Sequence, residues 1–218
     1  GVRTADGTER TADIVVSNAD AGWTYRHLLR KQPRRRWTDA KLDRAKYSMG
    51  LFVWYFGTDR RWDEIAHHTI VMGPRYKGLV RDIFRRGRLA DDMSLYLHRP
   101  SATDPSVAPG GCDAFYALSP VPHLGFGHEW TAEEAERYRA SVERRLAETV
   151  LPGLEGRVVS QTMLTPADFE TRYLSPHGAG FSLEPRLFQS AWFRPHNVSE
   201  EVEGLYLVGA GTHPGAGL

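Results

Sequence analysis

The densest concentration of chemistry-capable residues lies at the end of the chain, where an apolar segment, residues 205–208 (LYLV), runs into Gly209, Ala210, Gly211, Thr212, His213, Pro214, Gly215, Ala216 and Gly217. A strand that ends in glycines lets backbone N–H groups approach a phosphate or a polyol chain closely. The spacing is G-x-G-x-x-x-G, with Pro214 where the third glycine of the usual dinucleotide fingerprint would stand. A βαβ unit needs about 30 residues, so this strand is expected either to close a fold begun elsewhere or to be cut off from its helix. Spacing alone would also suit a plain glycine-rich turn.

Nine histidines invite a metal reading. His67 and His68 are adjacent, so on a strand they would face opposite sides and could not share an ion. No His pair at helical spacing beside an acid occurs, and no metal site is expected. His123, His196 and His213 fall near Pro and Gly, where a loop histidine ordinarily bonds backbone. One cysteine, Cys112, excludes an internal disulfide and any Cys-rich metal site. No G-x-S-x-G elbow or nucleophile–base motif is present, and no catalytic residue is assigned.

A basic run of Arg26, Arg30, Lys31, Arg34, Arg35, Arg36, Lys41, Arg44 and Lys46 is opposed locally by Asp39 and Asp43 only. With Trp37 and Leu42 interleaved, it could rest on an anionic lipid surface, each cation contributing on the order of 1 kcal/mol. A solvated segment balanced by distant acids is the other reading. Over the whole chain, 28 basic groups meet 27 acidic ones among 218 residues, and so weak a field gives no reason to expect nucleic acid. No apolar run approaches the roughly 20 residues of a membrane-spanning helix.

These residues need elements to position them. Asp6 and Gly7 predict a hairpin turn within residues 2–16, its second strand running on to a stop at residues 17–20. A short helix follows, carrying Tyr25, Leu28 and Leu29. Residues 47–57 are apolar on both faces, as a central strand would be. Further strands are expected near 67–72, 93–98, 114–118, 157–163 and 205–208. Tyr76, Leu79, Val80, Ile83 and Phe84 keep helical spacing up to Gly87. Thr131 and Glu134 form a capping box before the stripe Ala135, Tyr138, Val142, Leu146 and Thr149. Pro166 opens a third helix, and residues 100–113 read as a long loop. The fold class is α/β (α+β mixed).

Several segments together resemble bacterial-type phytoene desaturases, FAD-dependent carotenoid desaturases of the flavin amine-oxidase superfamily. They are residues 12–20 (ADIVVSNAD), 51–57 (LFVWYFG), 66–69 (AHHT), 73–76 (GPRY), 94–98 (SLYLH), 117–123 (ALSPVPH), 181–185 (FSLEP), 189–197 (QSAWFRPHN) and the terminal glycine block. They keep the family's order almost from end to end. The resemblance implies a two-domain flavoprotein. Residues 1–22 and 177–218 would be parts of a Rossmann-like FAD-binding domain, and 23–176 a substrate domain with a mixed β-sheet flanked by helices. It implies FAD held by Gly209, Ala210, Gly211, Thr212 and His213, with Glu184 and Arg194 near the flavin ring. The implied reaction desaturates a long acyclic polyene, with hydride passing to flavin N5 and a proton leaving the neighbouring carbon. An apolar tunnel walled by the 51–56 strand would hold the substrate, although core packing explains those aromatics as well. A cytoplasmic enzyme attached peripherally to a membrane surface would follow, because such substrates reside in lipid. The family's N-terminal glycine-rich unit has no counterpart here and Gly1 replaces Met, so the expectation is the C-terminal portion of a longer enzyme. Alternatives are a sister flavoprotein (a shorter-chain desaturase, a carotenoid isomerase or an amine oxidase) or a non-catalytic interaction module.

Overall fold

The structure, a computed structural model, describes residues 1–216; Gly217, part of the glycine-rich block, and Leu218 lie outside the described residues. The architecture is mixed α/β, divided into two compact units: residues 1–48 with 170 onward, and Met49–Phe169.

In the first unit, β1 (Val2–Arg3) and β2 (Glu9–Arg10) pair antiparallel about Gly7, which sits at φ 87°. The hairpin is shorter than expected. Its second strand stops at Arg10, and residues 15–17 form a separate strand, β3 (Val15–Ser17), which leaves the hairpin to pair in parallel with β9 (Leu205–Leu207). Asp20 caps α1 (Ala21–Trp23) through a 3.1 Å bond from the Trp23 N–H, and a wider turn continues it over Thr24–Leu28. The α2 helix (Asp39–Arg44) follows, capped by Thr38. Tyr25, Trp37, Leu42, Tyr47, Leu183, Leu205 and Leu207 make this unit's core, with Tyr25 and Trp37 stacked 6.1 Å apart. Trp37 and Leu42 therefore face inward and cannot insert into lipid.

The second unit is a five-stranded sheet in the order β5 (His68–Val71), β6 (Leu95–His98), β7 (Asp113–Val121), β4 (Gly50–Thr58), β8 (Val158–Leu164). Every pairing is antiparallel, not mixed as anticipated. Antiparallel neighbours can return directly on one another, whereas parallel ones need a crossover. β4 is an inner strand, as its two apolar faces required. Phe52, Trp54 and Phe56 pack with Tyr138, Val142 and Leu146 of α4 (Ala132–Thr149), and the Phe52 and Tyr138 rings are 5.1 Å apart. Thr131 caps α4 by accepting from the Glu134 N–H at 3.1 Å. The α3 helix (Tyr76–Arg81) widens over Asp82–Arg86 and ends at Gly87, φ 61°. The chain returns to the first unit through α5 (Pro166–Arg172).

Strand alternation gives the sheet two different faces. Phe115, Ala117, Leu95 and Leu97 are buried with α4, while Tyr96, His98, Tyr116 and the exposed Tyr55 occupy the other side. The buried ion pair of Asp113 and Arg99, 3.0 Å, stands at the start of β7, and Asp113 also accepts from the Trp62 N–H and the Ser101 hydroxyl at 2.8 Å each. Among the described residues no helix is long and apolar enough to cross a membrane.

Candidate functional site

β3 and β9 align Val15 with Leu205 and Ser17 with Leu207, so the loops after them leave the same end of the pair. The carboxyl ends of parallel strands are where α/β sheets hold ligands. Asn18 Nδ2 donates to the Val208 carbonyl at 3.4 Å, and Ser17 Oγ lies 2.9 Å from Thr24 Oγ1. The 209–212 turn is closed by Thr212, whose N–H and hydroxyl both donate to the Gly209 carbonyl, at 3.1 and 2.8 Å. The His213 N–H reaches the Pro195 carbonyl at 2.8 Å. Among the described residues, the N–H groups of Gly209, Ala210 and Gly211 donate to no protein acceptor. Consecutive unpaired N–H groups are suited to polar oxygens of a ligand.

The two central glycines are explained first by the chain itself. Gly209 adopts φ 120°, a conformation open to glycine. A Cβ on Gly211 would lie 2.8 Å from Ser182 Oγ and 3.2 Å from Ser182 Cβ. The room saved at Gly211 is thus filled by Ser182.

Behind this turn, Arg194 is only 3% exposed; its Nη1 donates to the Ala210 carbonyl at 2.8 Å and its Nη2 to the Leu183 carbonyl at 2.7 Å. It clamps the turn against the 181–185 segment. Burial pulls its pKa down, and the charge of Asp20 opposes that. The Asp20 carboxyl is pushed up by desolvation, only partly offset by hydrogen bonds from Ser182 and from the Trp23 and Gly22 N–H groups. Glu184 is paired with Arg186 at 2.8 Å. Arg194 is singled out in the sequence, but its grouping with Ser182 and Asp20 is not legible there, because Asp20 lies far from the other two in the chain and only tertiary packing joins them.

The remaining histidines divide. His123 accepts from the Gly125 N–H at 3.1 Å, and His196 contacts the Trp192 carbonyl and Glu200, both at 2.9 Å, as loop histidines do. His213 differs: its Nδ1 is buried with no partner among the described residues. His67 and His68 overturn the alternation argument. His67 precedes β5 and so is not held to the strand's alternation, and its ring meets those of His68 and His98, at centroid distances of 4.4 and 4.5 Å.

The basic run is partly paired and is tied down by two acids that sequence distance concealed, Glu200 and Glu201. Glu201 accepts from the N–H groups of Arg35, Arg36 and Trp37 at 3.0, 2.6 and 2.8 Å. Glu200 pairs with Arg36 at 3.0 Å and accepts from the Trp37 indole at 3.1 Å. Asp39 and Asp43 take Arg34 and Arg26 at 3.0 and 2.5 Å.

On the second unit's open sheet face, a groove of about 660 Å³ is lined by Tyr55, His98, Val107, Pro109, Tyr116 and Val159. Of residues 51–56, only Tyr55 and Phe56 line this groove; Leu51, Phe52, Val53 and Trp54 are buried.

Against known proteins, the chain is 62% identical over its whole length to a neurosporene-forming phytoene desaturase of Rhodobacter capsulatus and 50% identical to a lycopene-forming phytoene desaturase of Pseudescherichia vulneris. Over all its residues the chain is homologous to bacterial phytoene desaturases. It spans 42% and 44% of the lengths of these two relatives. No protein-family model matches it. An oxidoreductase structure from Methanosarcina mazei shares the fold, with a TM-score of 0.51 and 18% identity, covering 95% of this chain and 40% of that one.

Proposed function

We propose that this chain is part of an FAD-dependent desaturase acting on phytoene-like acyclic polyenes. The observation that carries this reading is the 62% identity, sustained over every residue, to a phytoene desaturase. In this reading the first unit contributes to a Rossmann-like flavin-binding domain and the second unit is the substrate domain. The unpaired N–H groups of Gly209, Ala210 and Gly211 fit the polar oxygens of FAD, with Thr212 holding their turn closed and His213 beside it. Bound there, the flavin supplies the two-electron acceptor that no protein side chain can. The protein's own task is to align an apolar chain and keep water away. The groove beside Tyr55 and Tyr116 suits that task, its exposed lining being mostly apolar. The substrate's solubility in lipid implies work at a membrane surface. Leu187, Phe188 and Trp192, which are 76, 74 and 64% exposed, are the residues suited to meet it.

The test is a chimera in which this chain replaces the matching segment of the Rhodobacter capsulatus relative. The chimera is expected to purify with flavin absorption and to desaturate phytoene. A folded chimera without flavin and without product overturns the reading.

A further inference from the structure

We propose that His67, His68 and His98 form a binding site for a divalent transition-metal cation of the zinc class. One nitrogen from each ring lies within 4.8 Å of the other two. β5 and β6 place His68 directly opposite His98 in their antiparallel register. His67, just before β5, is held beside this pair by the bond from the Arg99 N–H to its carbonyl at 2.9 Å.

The hydrogen bonds around the rings favour a site facing inward among the three. Thr103 Oγ1 is 2.7 Å from His67 Nδ1, and Tyr96 Oη is 2.6 Å from His68 Nδ1. Each contact engages Nδ1 and leaves Nε2 as the nitrogen available to ligate, and such partners fix the ring orientation of metal-binding histidines. Nε2 of His67 and Nε2 of His98 stand 2.7 Å apart. Two neutral rings at that distance must share one proton, and a cation between them would use both lone pairs. His98 has its Nδ1 buried and unpartnered among the described residues, so this contact is its polar anchor. Zinc–nitrogen bonds of about 2.0–2.1 Å put tetrahedral donors about 3.4 Å apart. The closest pair must open slightly, and His68, the exposed member, can swing in.

The Tyr116 ring lies 4.7 Å from that of His98. Three neutral nitrogens leave the cation its double charge and a fourth position for water or a small anion. The site borders the proposed substrate groove through His98, but its test involves neither flavin nor polyene, so the two readings fail separately.

The test uses the full chain without a histidine tag, stripped by chelator and titrated with Zn²⁺ by calorimetry and with Co²⁺ by visible absorption. One saturable equivalent is expected, with the intense absorption of tetrahedral cobalt and a raised Tm. His68→Gln, at an exposed position, and His98→Asn should each weaken binding about tenfold or more, while Thr103→Val weakens it less and His27→Gln not at all. If His98→Asn disturbs the sheet, His68→Gln with an unchanged circular dichroism spectrum decides. Absence of a saturable equivalent in the unmodified chain, or undiminished binding by His68→Gln, overturns the site.

Discussion

At Gly211 a single missing carbon determines how two segments meet, since a Cβ would press on Ser182 at 2.8 Å. Gly211→Ala is expected to cost about 1–3 kcal/mol, as overpacking does. Adding Ser182→Gly should recover most of that loss, because it removes the clashing side chain and relieves a serine held at φ 60°. Urea denaturation of the two single variants and the double variant gives the coupling directly. The neighbouring Asp20 makes a pH prediction. Its folded pKa is raised by desolvation above the unfolded value of about 3.9, so the folded state binds its proton more tightly than the unfolded state. Its contribution to stability is therefore largest at low pH and declines as pH rises from about 4 through the folded pKa. Asp20→Asn keeps a capping oxygen for the Trp23 N–H and should flatten that decline, leaving the variant at least as stable as the parent at neutral pH. Denaturation midpoints measured across a pH series check both the sign and the window.

Among the elements, those announced by local chemistry formed where the pattern put them. Thr131 starts α4, Gly87 ends the turn after α3, and the α4 stripe is buried at Ala135, Tyr138, Val142 and Leu146, while its last member, Thr149, is exposed. The 26–46 segment shows the opposite case. Its charge invited a surface role, yet Glu200 and Glu201, more than a hundred residues later, lock it to the first unit's core. Burial alone would raise the Glu201 pKa, but the N–H groups of Arg35, Trp37 and Arg36 outweigh it and hold the carboxyl below its ordinary value. Stability from Glu201 is then complete above the unfolded pKa of about 4.3 and lost as pH falls through the lower folded value. Glu201→Gln should cost about 2 kcal/mol at neutral pH, in the range of hydrogen bonds to a charged group, and should remove that acid-side loss. Thermal unfolding at neutral and mildly acidic pH separates the two effects.

For the molecule as a whole, the two readings of its lipid contact differ in salt dependence. The ion-paired Arg26, Arg34 and Arg36 contribute little to an anionic surface, whereas exposed apolar side chains bind with little sensitivity to ionic strength. Flotation with anionic vesicles is expected to survive both high salt and the joint substitution of Arg34, Arg35 and Arg36 by Gln. It should fall several-fold when Leu187, Phe188 and Trp192 are replaced by Ser. Loss of flotation in high salt alone would return the role to the basic residues.

By itself, the sequence determined whatever depends on near neighbours. Gly7 and Gly87 mark reversals, Thr131 and Pro166 mark helix starts, and alternating or unbroken apolar runs mark the strands, because turns, caps and amphipathic faces are set within a few residues. Mixed α/β architecture followed from those elements. Only the tertiary structure decided which strands pair and in what sense. It moved β3 away from the hairpin to β9, made the large sheet antiparallel throughout and turned Trp37 inward. It also brought His98 to His67 and His68, and Ser182 and Arg194 to the 209–213 turn. Those meetings join residues from tens of positions to nearly two hundred apart, and their energies come from burial and hydrogen bonds that exist only once the chain has folded.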